Sequence, residues 1–106
     1  MIAAAAPPYP VLLLTTIAVE TAIALALMWK HRARLRLDVP LLNCVTHPIA
    51  TVLLRWGLLS FFPVEILIWL AEAFGYRTVT GLSAGRALLL SGVCNGVTML
   101  IALAWL

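Results

Sequence analysis

Long apolar runs alternate with short polar clusters along this chain, and the clusters divide it into helices. A helix crossing the hydrocarbon core of a bilayer needs about 20 apolar residues. Residues 11–29 satisfy this, as do residues 86–106, where Trp105 lies near the end as an interfacial anchor. The stretch from Pro40 to Tyr76 is too long for one crossing and just long enough for two. Pro40 suits the first turn of a helix, with Asp38 just before it, and Gly57 after Arg55 and Trp56 suits a left-handed cap. Pro63 can then open a third helix with Glu65 in its first turn, and Tyr76 with Arg77 can close it at the interface. The pattern predicts an all-α membrane protein. It is a four-helix transmembrane bundle of two antiparallel hairpins with spans near 11–29, 40–56, 63–80 and 86–106, forming a single integral membrane domain over 1–106. A re-entrant hairpin for the middle pair is the alternative, tolerated only where protein covers its backbone.

Composition agrees with that pattern. Hydrophobic residues make up 64% of the 106 and charged residues only 10%, against about 25% charged in ordinary soluble domains. No stretch between the apolar segments is long enough for a soluble catalytic domain, so no enzyme activity is expected. Charge placement sets the topology. Lys30, Arg32, Arg34, Arg36, Arg77 and Arg86 fall on one side of a four-helix arrangement and Arg55 on the other, as the positive-inside rule asks. Both termini are therefore expected outside, and the membrane is expected to be the bacterial cytoplasmic one. The basic run beside the first helix would meet anionic lipid headgroups, and nothing in it reads as nucleic-acid recognition. No basic residue precedes the first apolar stretch, which reads as a retained helix rather than a signal peptide.

Ionisable and amide side chains inside apolar spans are costly and point to function by default. In the second helix Asn43, His47, Thr51 and Arg55 recur every four residues as one winding stripe about 18 Å long. In the third, Glu65, Trp69 and Glu72 share a face, with the carboxylates about 10 Å apart along the axis. Because these two helices run antiparallel, Arg55 is expected to pair with Glu65. His47 or Asn43 would lie near the depth of Glu72, which also has Arg77 or Arg86 available. Such pairs read either as structural glue or as a proton or cation path, with His47 suited to proton exchange. Glu20 lies mid-helix with no basic residue of its own helix in reach, so it is protonated, partnered by a residue such as His47 or Asn95, or bound to a cation. His47-Pro48 can kink the second helix. In the fourth helix Gly92 and Gly96 form a G-x-x-x-G pattern beside Ser91, Asn95 and Thr98, which suits close packing within the bundle or with a partner chain.

No internal repeat is recognised, and the alanine-rich first six residues read as a loosely ordered end. Cys44 and Cys94 show no paired spacing, and no metal, haem or cofactor motif is visible, so none is expected. The pattern Asn43-x-x-Thr46-His47-Pro48, Glu65-x6-Glu72-Ala73-x-x-Tyr76, Arg86-Ala87 and Ser91-x-x-x-Asn95 resembles a group of small bacterial multi-pass membrane proteins without an assigned activity. The resemblance implies a four-helix bundle with interior Asn, His and Glu. Small multidrug-resistance transporters share the length, the helix number and a carboxylate in the first helix, but no further motif matches. Two functions are expected from the residues. One is an accessory or assembly subunit of a larger membrane complex, with other integral subunits or a second copy as partner. The other is a small homo-oligomeric transporter or proton-coupled channel using intramembrane Glu and His.

Overall fold

The computed structural model describes residues 9–104; Trp105 and the alanine-rich start lie outside the described residues. Within them the chain is helical apart from short turns, with no strand. Helix α1 spans Tyr9–Leu27, and a single 3-10 turn over Trp29–His31 leads directly into α2, Arg32–Arg55. After a short turn, α3 runs over Phe61–Gly75 and continues into a wide π-type turn at Tyr76–Thr80, followed by α4 over Ala84–Ala104. Three helices are long and apolar enough to cross a membrane: α1, α2 with its leading turn, and α4. The 15 residues of α3 fall short of that length and continue into the five residues of the π-type turn.

The helices form a square bundle in which α1 packs against α2 and α4, and α3 packs against the same two. Its long axis is 41 Å, close to the roughly 40–45 Å of a bilayer with its headgroups. One end holds the connections Trp29–His31 and Gly81–Ser83 together with six of the seven Lys and Arg residues; we call it the basic end. The other, the terminal end, holds Tyr9, the α2–α3 turn and Ala104. Apolar packing is concentrated toward the basic end, where Leu35, Val39, Tyr76, Leu82 and Leu90 are buried. The outward faces are apolar too: Leu14, Leu41, Val45, Phe62, Phe74 and Leu100 are all exposed. Such a surface is far larger than the apolar patches soluble monomers carry.

Pro40 does not open α2. The helix begins at Arg32, so the basic run forms its first turns and Pro40 lies well inside it, as does Pro48. A proline needs only that the carbonyl four residues back find another partner. For Pro40 that carbonyl belongs to Arg36, an exposed residue near the basic end where water can serve it. Asp38 is correspondingly not a helix cap; it is buried and accepts a 2.7 Å hydrogen bond from Thr80 Oγ1. Arg34 completes this lock. Its Nε lies 3.6 Å from Asp38 Oδ2, and its Nη2 donates to the Val79 carbonyl at 2.9 Å. The start of α2 is thus tied to the π-type turn. Glu65 also shifts: with Phe61 as the first helical residue it falls in the second turn of α3, not the first.

Two glycines end helices with positive φ. Gly57 (φ +67°) follows α2, where Leu58 N–H donates to the Leu53 carbonyl at 3.0 Å, and Gly81 (φ +85°) ends the π-type turn. An added Cβ would meet nothing within 4 Å at Gly81, so only the backbone conformation opposes a side chain there. Gly81→Ala should therefore destabilise the bundle by about 1–2 kcal/mol, the left-handed penalty of an L-residue. Gly85→Ala, with similar open space and no positive φ, should be neutral or stabilising. Denaturation of both variants in mild detergent checks the difference.

Candidate functional site

Two carboxyl groups occupy the middle of the bundle, both with almost no exposed surface: Glu20 from α1 and Glu72 from α3. In an apolar interior each must find hydrogen-bond donors. Each has two, from two different helices. Glu20 Oε1 accepts from Asn43 Nδ2 at 3.2 Å and its Oε2 from Thr98 Oγ1 at 3.1 Å. Glu72 Oε1 accepts from Asn95 Nδ2 at 2.7 Å and its Oε2 from Thr46 Oγ1 at 2.6 Å. The second hydrogen of each asparagine amide goes to its own helix, from Asn43 to the Val39 carbonyl and from Asn95 to the Ser91 carbonyl.

This arrangement exposes a repeat. Asn43-x-x-Thr46 on α2 and Asn95-x-x-Thr98 on α4 are the same pattern, and each asparagine follows its hairpin's glutamate by 23 residues. The offset between copies is 52 positions (72 − 20 = 52), and it also aligns Arg34 with Arg86, Val45 with Val97, Ile49 with Ile101 and Ala50 with Ala102. Helix starts obey the same offset: Tyr9 with Phe61, and Arg32 with Ala84. The expectation of no internal repeat is therefore overturned. The two hairpins are copies of one pattern, set side by side in the same direction. Each glutamate takes its asparagine from its own hairpin and its threonine from the other, so the four bonds exchange under a twofold relation along the bundle.

The two threonines have a second property. A hydroxyl carries one hydrogen. Thr46 Oγ1 lies within reach of both Glu72 Oε2 and the Leu42 carbonyl (2.9 Å), and Thr98 Oγ1 within reach of both Glu20 Oε2 and the Cys94 carbonyl (3.0 Å). With its hydrogen on the carboxyl, the threonine stabilises an ionised glutamate. With its hydrogen on the helix carbonyl, it accepts from a protonated one. The site is built to hold either state without moving a helix.

A cavity of about 200 Å³ lies between this pair and the terminal end. At about 30 Å³ per molecule of liquid, that is room for six or seven waters or one small solute. Its wall includes His47, Thr51 and Glu65 besides the paired carboxyls and their asparagines. Glu65 makes no hydrogen bond or ion pair among the described residues, so the cavity holds one unpartnered carboxyl near its mouth and two partnered ones on its floor. His47 Nδ1 stands 3.4 Å from the Tyr9 hydroxyl, and Thr51 Oγ1 donates to the His47 carbonyl at 2.9 Å. No group of three or more His, Cys, Asp or Glu is placed to hold a metal among the described residues.

The expected zipper between α2 and α3 forms differently. Arg55 does not pair with Glu65: it is exposed at the end of α2, while Glu65 sits a turn deeper and faces the cavity. Among the described residues the one ion pair is Arg34 with Asp38. Glu72 takes Thr46 and Asn95 rather than His47, Arg77 or Arg86, and Glu20 takes Asn43 and Thr98 rather than His47 or Asn95. Arg86 is exposed at the start of α4, its backbone N–H donating to Ser83 Oγ at 3.3 Å. Gly92 has a clear packing reason, since a Cβ there would meet Trp69 Nε1 at 3.2 Å, where the indole donates to the Leu88 carbonyl at 3.0 Å. A Cβ added at Gly96 would meet nothing within 4 Å, and this glycine lines an open groove between α3 and α4. Thr46 and Thr98 as carboxyl partners, and Asp38 and Tyr76 as interior polar groups, are not legible from one helix at a time. The duplicated N-x-x-T, 23 residues after a glutamate, is the signal that would have found the threonines.

Because the two halves of the site are equivalent, Asn43→Ala and Asn95→Ala should each cost about 1–3 kcal/mol, the range for removing a partner from a buried polar group. Thermal denaturation in detergent compares them, and a large loss in one with none in the other would contradict the twofold description. The chain matches no family model, no curated protein and no solved structure, so the resemblance to small bacterial multi-pass proteins rests on the spaced residues alone.

Proposed function

We propose that this chain is a small non-enzymatic integral membrane protein of the bacterial cytoplasmic membrane that moves protons or a small cation, with Glu20 and Glu72 as its binding centre. In this reading all four helices cross the bilayer, α3 with the help of its π-type turn, and both termini lie outside. The carrying observation is the position of the carboxyl pair. It sits at mid-depth on the interface between two repeats, on the floor of a cavity, where repeat-built transporters place substrate and coupling ions. The hydroxyl switch at each carboxyl supports proton exchange. The small volume favours protons, water and small cations over drug-sized ligands, which need about 300 Å³ or more.

A second reading, an accessory or assembly subunit of a larger membrane complex, draws on the side of α3 and α4. The groove beside Gly96, lined also by Ile66, Trp69 and Met99, is open along the bundle's flank and suits a helix of another integral subunit. One set of measurements separates the two. The protein purified alone and placed in liposomes should carry a proton or cation flux, reduced at least tenfold by Glu20→Gln and by Glu72→Gln. No flux, together with a stoichiometric larger membrane partner after mild-detergent purification, would replace the first reading with the second. Single cysteines introduced beside Tyr9 and beside Lys30 should react with an impermeant maleimide from opposite faces of the membrane.

A further inference from the structure

The repeat creates two seams between the hairpins, α2 with α3 and α4 with α1, and they have diverged. At the α4–α1 seam three positions along the line of the Thr98–Glu20 bond are apolar: Leu13, Ala24 and Leu90. At the α2–α3 seam the positions 52 residues from those three are Glu65, Tyr76 and Asp38, while His47 stands against Tyr9 of α1 at the cavity wall. Every one of them is titratable. Together with the Thr46–Glu72 bond they run the length of the bundle. His47 and Glu65 line the cavity, Glu72 forms its floor, Tyr76 follows one turn deeper, and Asp38 with Thr80 and Arg34 reaches the basic end.

Tyr76 is the link in this series. It has no exposed surface, and its hydroxyl makes no hydrogen bond to the protein. A buried hydroxyl without a partner is rare in folded proteins and calls for an explanation. It lies one turn after Glu72 and one turn before Thr80, whose hydroxyl binds Asp38, and Glu20 and Cys94 are its other ionisable neighbours. The polar centre and the Asp38 lock thus lie to either side of one free phenol, in a segment where the apolar counterpart is Ala24.

We infer that the α2–α3 seam is a proton path through the bundle, in which the Tyr76 hydroxyl passes protons between Glu72 and Asp38; this rests on the transport reading above. A proton arriving through the cavity occupies Glu72 while the Thr46 hydrogen turns to the Leu42 carbonyl. Once the phenol turns into hydrogen-bond contact with both carboxyls, the Glu72 O–H bond breaks as its proton joins the Tyr76 oxygen, and the phenolic hydrogen leaves for the Asp38 carboxylate. Glu72 ends ionised, Asp38 protonated and Tyr76 unchanged. Asp38 releases its proton at the basic end, beside the Arg34 side chain, which is 60% exposed. Rotation of the phenol resets the path.

The test uses the whole chain in liposomes of phosphatidylethanolamine and phosphatidylglycerol, with a trapped pH dye and a potassium diffusion potential as the driving force. Wild-type protein should carry protons, and Tyr76→Phe, which keeps the ring and removes only the hydroxyl, should slow the flux at least tenfold with an unchanged melting temperature. Asp38→Asn should do the same and decides the matter should Tyr76→Phe fold poorly. Proton flux that persists at the wild-type rate in either folded variant overturns the relay and leaves the transport reading intact. A cation flux that needs Glu72, with no proton flux, does likewise. Neither flux in the wild type overturns both.

Discussion

Two carboxyl groups in an apolar interior set the terms for the rest of this bundle. Each costs several kcal/mol to bury without donors, and each finds its donors on two helices other than its own. Glu20 joins α1 to α2 and α4; Glu72 joins α3 to the same two. Inside a bilayer, apolar packing gains nothing from expelling water, so polar contacts between helices carry more of the burden of specifying which faces meet. Four side-chain hydrogen bonds here fix the rotation of all four helices at one depth. The apolar core below them at Leu35, Val39, Ala87 and Leu90 then packs in the only register left to it.

The number of helices, the direction of the hairpins and the interior placement of Glu20, Asn43, Glu72 and Asn95 were legible from spacing alone, because apolar run length and basic clustering respond to the bilayer directly. Partner choice was not legible. A stripe such as Asn43, His47, Thr51 and Arg55 tells which residues share a face, but not which neighbour that face meets. Arg55 looked like the partner of Glu65 because charges attract; the structure leaves it at the exposed end and satisfies the carboxyls with neutral donors. Pro40 misled for a different reason. Proline is favoured at helix starts, yet near a wetted end its missing hydrogen bond costs little, so the helix runs on through it. The repeat escaped notice because most aligned positions are apolar, and in a chain 64% hydrophobic an apolar match carries little information. Only the rare polar matches, Glu, Arg, Asn and Thr at one offset, distinguish it.

Repetition explains the site's symmetry, and departures from repetition explain where chemistry can occur. Complementary changes maintain packing between the copies: Gly75 lies against Leu42, and the corresponding positions are Ile23 and Cys94, with large and small exchanged. Tyr76 and Ala24 are another large and small pair. Asp38, Glu65 and the Tyr76 hydroxyl stand where the other copy has Leu90, Leu13 and Ala24, and polar groups in an apolar interior are costly enough that packing alone gives no reason to gather them on one seam.

A symmetric site cannot by itself prefer one direction. Glu20 and Glu72 have the same donors, the same depth and the same pair of hydroxyl states, so an ion reaching them from the cavity meets two equivalent positions. Asymmetry has to come from what lies on either side along the axis. Toward the terminal end both carboxyls share the cavity, with Glu65 at its mouth. Toward the basic end Glu20 is backed by Ala24 and Leu90, whereas Glu72 is followed by Tyr76 and Asp38. Of the two carboxyls, only Glu72 lies on the seam that carries Tyr76 and Asp38. In the proposed relay a proton could enter at either, and Glu72 is the one whose own helix places the next group one turn further on.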